Sequence, residues 1–273
     1  MKQVFSITSP NVTDSTSKVL ALRVGEKHFG FSISSLPVDE LFQLAWYTGE
    51  QMDENSLREI YLSHPELKQG FDKVLICYDH PQSVLVPQNH FKQEDAPLLL
   101  QTMYGANSGD KVIAEAISNW QLYNVYAIPD EIDKWLGQHF AAGTVAHTYT
   151  VGLKQVEVTD FEGSFAIDFR SDDFSLIVTR ANKLMMAQTF SYETPADVIY
   201  YLLDTCREFS FTQETVRVAI SGLIDQQSGL YRELYNYFLH LRFREPVWQL
   251  PAAEQPYPGH FFTSLNDLAK CAS

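Results

Sequence analysis

An α/β fold in two related halves, each a mixed sheet flanked by helices, is what this 273-residue chain predicts. Three features carry the prediction. Apolar residues alternate in three successive runs after residue 164, strand–helix units follow them, and the first half also mixes strand and helix patterns. The boundary is expected near residues 151–163, giving one half over 1–151 and a second over 152–273, with VGLKQVEVTDFEG as a helix between them.

The second half is the easier to justify. Phe165, Ile167 and Phe169 alternate, then Phe174, Leu176 and Val178, then Leu184, Met186 and Phe190. Ser171-Asp172-Asp173 and Ala181-Asn182-Lys183 are turn formers of a length that suits antiparallel hairpins, so a three-strand meander is expected. Thr194 is a good N-cap, Pro195 fits the first helical position and Asp197 completes a capping box. Val198, Tyr201, Leu202, Cys206 and Phe209 then share one helical face. VRVAISGL reads as a strand ended by Gly222, and SGLYRELYNYFLHL as a helix through Leu230, Leu234, Phe238 and Leu241. FREPVWQL reads as an edge strand and HFFTSLNDLAKC as a closing helix. The order βββαβαβα needs crossover connections, hence a mixed sheet, and it is the order of the ribonuclease H-like fold, the half-unit of actin-like ATPases.

In the first half, VLALRV and FGFSI form a hairpin across Gly25-Glu26-Lys27. Pro37 is expected to open a helix carrying Val38, Leu41, Phe42, Ala45 and Trp46 on one face, and Asn55 starts another. KVLICY, SVLV and VYAI read as strands and DEIDKWLGQHF as a helix, while DKVIAEAISNW fits either.

The stretches KLMMAQTFSYETPADVIYYLLDTC and PGHFFTSLNDLAKC resemble an uncharacterised bacterial domain-of-unknown-function family with the actin-like ATPase fold. That resemblance implies two ribonuclease H-like halves and transfers no catalytic residue. Actin-like ATPases grip phosphate with hairpins that pair an Asp with glycines, whose bare backbone lets N–H groups approach the anion. Tested against that pattern, LRVGEKHFGF has Gly25 but no preceding Asp. Asp168 stands at the matching place in the second half, but Phe169, Arg170, Ser171, Asp172 and Asp173 follow it without a glycine. Where a paired-glycine motif would approach the nucleoside, VAISGL offers Ser221-Gly222. Asp168, Ser221 and Gly222 are therefore the candidate nucleotide-site residues, against the plainer reading of a hairpin carboxylate paired with Arg170 and a turn glycine.

Charge excludes other classes. With 34 Asp+Glu against 20 Lys+Arg the net charge is −14, and each half is acidic, so nucleic acid is not an expected partner. Arg232, Arg242 and Arg244 beside Tyr235, Tyr237 and Phe243 read as a helix end rather than a phosphate-binding patch. No apolar run approaches the roughly 18 residues of a membrane span. The absence of a signal-peptide pattern and three widely spaced cysteines suggest the cytoplasm. Cys77 and His80 in ICYDHP could form a thiolate–imidazole pair, but the apolar strand around Cys77 favours a buried hydrophobe. His80 and His90 lack companions at zinc-ligand spacing, and no cofactor motif occurs.

Tyrosine is abundant, and Tyr200, Tyr201, Tyr231, Tyr235 and Tyr237 lie on the two long helices of the second half. They form a candidate aromatic surface for a protein partner, set against routine burial. Two readings follow. The favoured one is a non-catalytic actin-like protein that binds a partner or ligand. The alternative is an ATPase or small-molecule kinase whose Asp168 holds Mg²⁺ while Ser221-Gly222 approaches the nucleoside.

Overall fold

The same five-strand sheet is built twice. The computed structural model describes residues 1–9, 17–105, 109–156, 163–248 and 257–272. They begin with β1 (Lys2–Thr8), β2 (Lys18–Gly25), β3 (His28–Ser35) and β4 (Leu41–Thr48), then α1 (Glu54–Ser63) and β5 (Lys73–Asp79). An inserted segment supplies β6 (Ser83–Pro87), α2 (Ala96–Tyr104), β7 (Asp110–Ile117), β8 (Leu122–Pro129) and α3 (Asp130–His139). β9 (Thr144–His147) and α4 (Thr148–Lys154) close the first half. The second half runs β10 (Ser164–Phe169), β11 (Asp173–Arg180), β12 (Lys183–Ser191), α5 (Pro195–Glu208), β13 (Arg217–Gly222), α6 (Gly229–Tyr237), β14 (His240–Phe243) and α7 (Thr263–Lys270).

The strand order is β4-β3-β2-β5-β9 in one half, with β1 added outside β4, and β12-β11-β10-β13-β14 in the other. In both, the first meander strand is central: it pairs antiparallel with its hairpin partner and parallel with the strand after the first crossover. The fold class is thus the expected mixed α/β fold. The chain forms two compact units, one built on Met1–Val151 and the other on Gly152–Pro246, and residues from Leu265 onward pack with the first.

Each sheet owns its core. Leu20, Leu22, Phe29 and Phe31 meet Leu57, Ile60, Trp135 and Leu136 of α1 and α3. Phe165, Ile167, Phe174 and Leu176 meet Val198, Leu202, Leu230 and Leu234 of α5 and α6. Burial of side chains this size stabilises by roughly 1.5–3 kcal/mol each before entropy is counted. The insert forms a third sheet, β6-β8-β7, with α2 on it. In the ambiguous DKVIAEAISNW, Asp110–Ile117 is the strand β7 and Ser118–Trp120 form a short 3-10 turn.

Two expectations fail, for identifiable reasons. The helix expected from Pro37 is the strand β4. It lies between β1 and β3 and is buried at both parities, which removes the alternation and leaves apolar spacings that mimic a helical face. Pro37 instead sits in a turn where Val38 takes φ 75°. The helix expected to reach Leu241 ends at Tyr237, and Leu241 lies on β14, so the edge strand comes earlier than FREPVWQL. The capping box on α5 is as expected: Thr194 and Asp197 exchange bonds, with Thr194 N–H donating to Asp197 at 2.8 Å. Of the expected joining helix over 151–163, residues 151–154 are helical as the end of α4, and 157–162 fall outside the described residues.

Candidate functional site

The parallel contact between β10 and β13 brings the sequence-derived candidates together. Asp168 lies opposite Ser221 and Phe169 opposite Gly222. Ser221 Oγ can donate to the Asp168 carboxylate at 3.0 Å or to the Ile167 carbonyl at 3.2 Å, one at a time. Asp168 keeps a side chain 15% exposed, with Arg170 Nη1 4.0 Å from Oδ2, and Arg170 Nε donates to Asp173. Gly222 adopts φ +84°, and a β-carbon there would overlap the Phe169 carbonyl oxygen. Leu223 N–H donates to that same oxygen at 2.8 Å. Glycine at 222 is thus a requirement of two strands meeting closely.

The register identifies the counterpart in the first half. Phe169 closes its hairpin against Phe174 and faces Gly222; Val24 closes its hairpin against Phe29 and faces Tyr78. Arg23 therefore occupies the place of Asp168, and the charge is inverted. The guanidinium is 2% exposed and donates through Nε and Nη2, at 2.9 and 2.6 Å, to one oxygen of Asp79 at the end of β5. His28 Nε2 lies 3.0 Å from that oxygen, off the hydrogen-bonding direction. The His28 ring stacks on Trp46 of β4, centroids 5.1 Å apart, and the guanidinium lies 5.8 Å from the Trp46 ring.

Both glycines of this hairpin are covered. A β-carbon on Gly25 would overlap the His28 ring, and one on Gly30 the Trp46 ring. Bare backbone that could have approached a ligand here receives the chain's own aromatic rings. Sequence reasoning noted Gly25 but missed the cluster, because Arg23, His28, Trp46 and Asp79 are separated by up to 56 positions. The apolar run of β2 offered one signal: Arg23 sits inside the buried stretch Val19–Val24, where a charge requires a buried partner.

The remaining candidates separate. Cys77 is buried, and desolvation pushes its thiol up, away from the thiolate a nucleophile needs. Burial pulls the His80 imidazole down to about 4, against the attraction of Asp79 and with His147 and His28 adding to the depression. His90 lies in a short 3-10 turn after β6. Among the described residues no three His, Cys, Asp or Glu side chains are grouped to hold a metal.

The aromatic surface divides. Tyr200, Tyr235 and Tyr237 are exposed, with Tyr200 and Tyr235 at 65% and 67%. Tyr201 is half-buried against Phe190, and Tyr231 is stacked between Tyr235 and Phe243. Phe243 in turn stacks on His260 at 3.9 Å. The stack thus crosses from α6 to the edge strand β14, beside the exposed Leu239.

Residues 8–241 match the model of a family described as Protein of unknown function (DUF3822). The chain belongs to that family. It is similar to a solved protein of Bacteroides thetaiotaomicron with an actin-like ATPase fold and unknown function. The TM-score is 0.72 at 18% identity, over 86% of this chain and 94% of that one. It is also similar to a chain of the PilM–PilN type IV pilus biogenesis complex, with TM-score 0.61, 12% identity and coverage of 92% and 97%. At these identities the likeness is one of fold, and the fold is that of actin-like ATPases. No curated protein matches the chain in sequence. Among the described residues no helix is long and apolar enough to cross a membrane.

Three outcomes follow. Asp79→Asn leaves the Arg23 guanidinium buried without its carboxylate and costs about 3–5 kcal/mol in urea unfolding. Gly222→Ala, strained at φ +84° and in collision with β10, lowers stability by about 2–4 kcal/mol in the same assay. His80 has a folded-state value near 4, below the usual 6.5 of an unfolded chain, so protonation favours unfolding. Its contribution is present above pH 6.5 and is lost as pH falls toward 4, up to about 3 kcal/mol. In His80→Gln that part of the acid slope disappears from the stability–pH curve.

Proposed function

We propose that this protein is a non-catalytic binding module on the actin-like ATPase fold, which holds a protein partner through the aromatic face of α6 and β14. The observation that carries the reading is the first hairpin. Its phosphate-facing glycine lies under His28, and a buried Arg23–Asp79 pair stands where a metal-directing carboxylate would be needed. The partner follows from the surface: Tyr235, Tyr237 and Leu239 expose large apolar side chains beside a rigid stack, which suits a protein interface better than open solvent. The PilM neighbour was solved in complex with PilN, so a chain of this fold can take part in a protein complex.

A second reading keeps one specific observation in its favour. Asp168 retains partial exposure beside Ser221 and Gly222, as a Mg²⁺-holding carboxylate of an ATPase or small-molecule kinase would. Thermal unfolding with Mg-ATP and Mg-GTP separates the two. A nucleotide at a hundred times its dissociation constant adds about 2.7 kcal/mol. The expected result is no stabilisation and no turnover; turnover abolished by Asp168→Ala establishes the second reading instead. For the partner, Tyr235→Ala with Leu239→Ser is expected to leave the melting temperature unchanged while removing neighbours seen by proximity labelling of the wild-type protein in its cell. An unchanged labelled set refutes the aromatic face as the docking surface.

A further inference from the structure

The two five-strand sheets differ at one edge. β2, β3 and β4 correspond to β10, β11 and β12 in strand order. Outside β4 the first unit adds β1, paired antiparallel along the strand. Outside β12 no strand of the described residues follows. The position that the first unit covers with an antiparallel strand is left open in the second.

An open edge presents backbone N–H and C=O groups to any extended chain, and proteins ordinarily blunt it. The other sheet edges are blunted here. β1 has a register break between Gln3 and Phe5, and β9 and β14 are four residues long. β6 ends in Pro87, and β7 carries Asp110, Lys111 and Glu115. β12 has none of these protections over most of its length. Its nine residues make it the longest described strand, and after Lys183 it contains neither a charge nor a proline. Its bulge is confined to the end near Lys183, where the register shifts between Val178 and Thr179 of β11.

The register says which groups the edge offers. Tyr192 N–H donates to the Asp172 carbonyl at 2.9 Å, and pairing continues unbroken from there to Met186 opposite Val178. Phe190 and Gln188 therefore bond toward β11, while Ala187 and Ser191 aim their N–H and C=O groups at the open edge. Met186 and Phe190 sit on the core-facing side, opposite Val178 and Phe174, yet both stay only half-buried. Gln188 between them is exposed, as are Lys183 and Glu193 at the two ends.

We propose that β12 pairs antiparallel with β12 of a second copy of this chain, about a twofold axis through Gln188. The strand is complementary to itself in that register. Met186 faces Phe190 of the other copy and Phe190 its Met186, two apolar cross-strand pairs that complete each other's burial. Lys183 comes beside Glu193 of the other copy at both ends, so opposite charges meet twice. A twofold contact of this kind uses one patch on both copies and closes at two. It lies at the opposite edge of the sheet from β14 and so leaves the aromatic face open.

Sedimentation velocity of the full chain between about 1 and 200 μM tests the pairing. The expected result is a reversible rise from one-chain to two-chain mass. Gln188→Lys places two like charges about 5 Å apart on the axis and weakens self-association about fourfold or more, even at the dielectric of water. Gln188→Glu does the same. An equimolar mixture of the two variants recovers at least the wild-type association, because residue 188 then meets its opposite charge. Circular dichroism of each variant is expected to match the wild type, since the Gln188 side chain is exposed. One-chain mass throughout overturns the proposal and leaves the edge to a strand of a different protein. Association unchanged in Gln188→Lys, or no recovery in the mixture, overturns it as well.

Discussion

The parallel contact between the first and fourth strands of the repeated five-strand sheet is the constraint on which the rest depends. β2 lies against β5, and β10 against β13, with the hairpin partner on the other side. A central strand paired on both edges has its register fixed from two sides, and in β10, whose burial alternates, a slip of one residue would turn the buried set outward. The contact therefore decides which residues meet at the strand ends: a hairpin turn and the end of the fourth strand. Those are the places where an actin-like fold has backbone to offer a ligand, and this chain has them twice.

What it puts there differs between the halves. In the second, Asp168 and Ser221 face one another across the strand pair, and Gly222 is glycine because Phe169 backbone occupies the space of a β-carbon. In the first, the acidic position holds Arg23 and the facing strand ends in Asp79. An arginine in the middle of a sheet keeps its charge and is costly to bury alone, so Asp79, the His28 ring and Trp46 form a single unit around it. The aromatic rings in that unit need room, which Gly25 and Gly30 supply.

How far the sequence carried depended on burial. α5, with Thr194 and Asp197 at its head, and the meander of β10, β11 and β12 were legible because period and cap agreed. β4 was not, because a strand buried at both parities loses the alternation that marks strands, and Leu41, Phe42, Ala45 and Trp46 then fit a helix equally well. Of the candidate site, Asp168, Ser221 and Gly222 were legible as residues near a strand end. The Arg23–Asp79–His28 cluster was not, since partners far apart in the chain are joined only by a strand register that no local pattern contains.

Magnitudes show why that cluster bears on nucleotide binding. For a phosphate to lie on the backbone at Gly25, the His28 ring must leave it, and the anion would then compete with Asp79 for the Arg23 guanidinium. Breaking a buried pair to relieve this costs about 3–5 kcal/mol. A ligand that would otherwise bind at about 1 μM, or −8.2 kcal/mol, would be left near −3 to −5 kcal/mol, a dissociation constant of roughly 0.2 to 6 mM. The pair could be exchanged for a ligand only if the ligand brought its own compensating cation. A single Mg²⁺ cannot do this readily while Arg23 already neutralises the carboxylate it would use. The ring that covers Gly25 thus belongs to the same cluster that lets an arginine occupy the sheet at all.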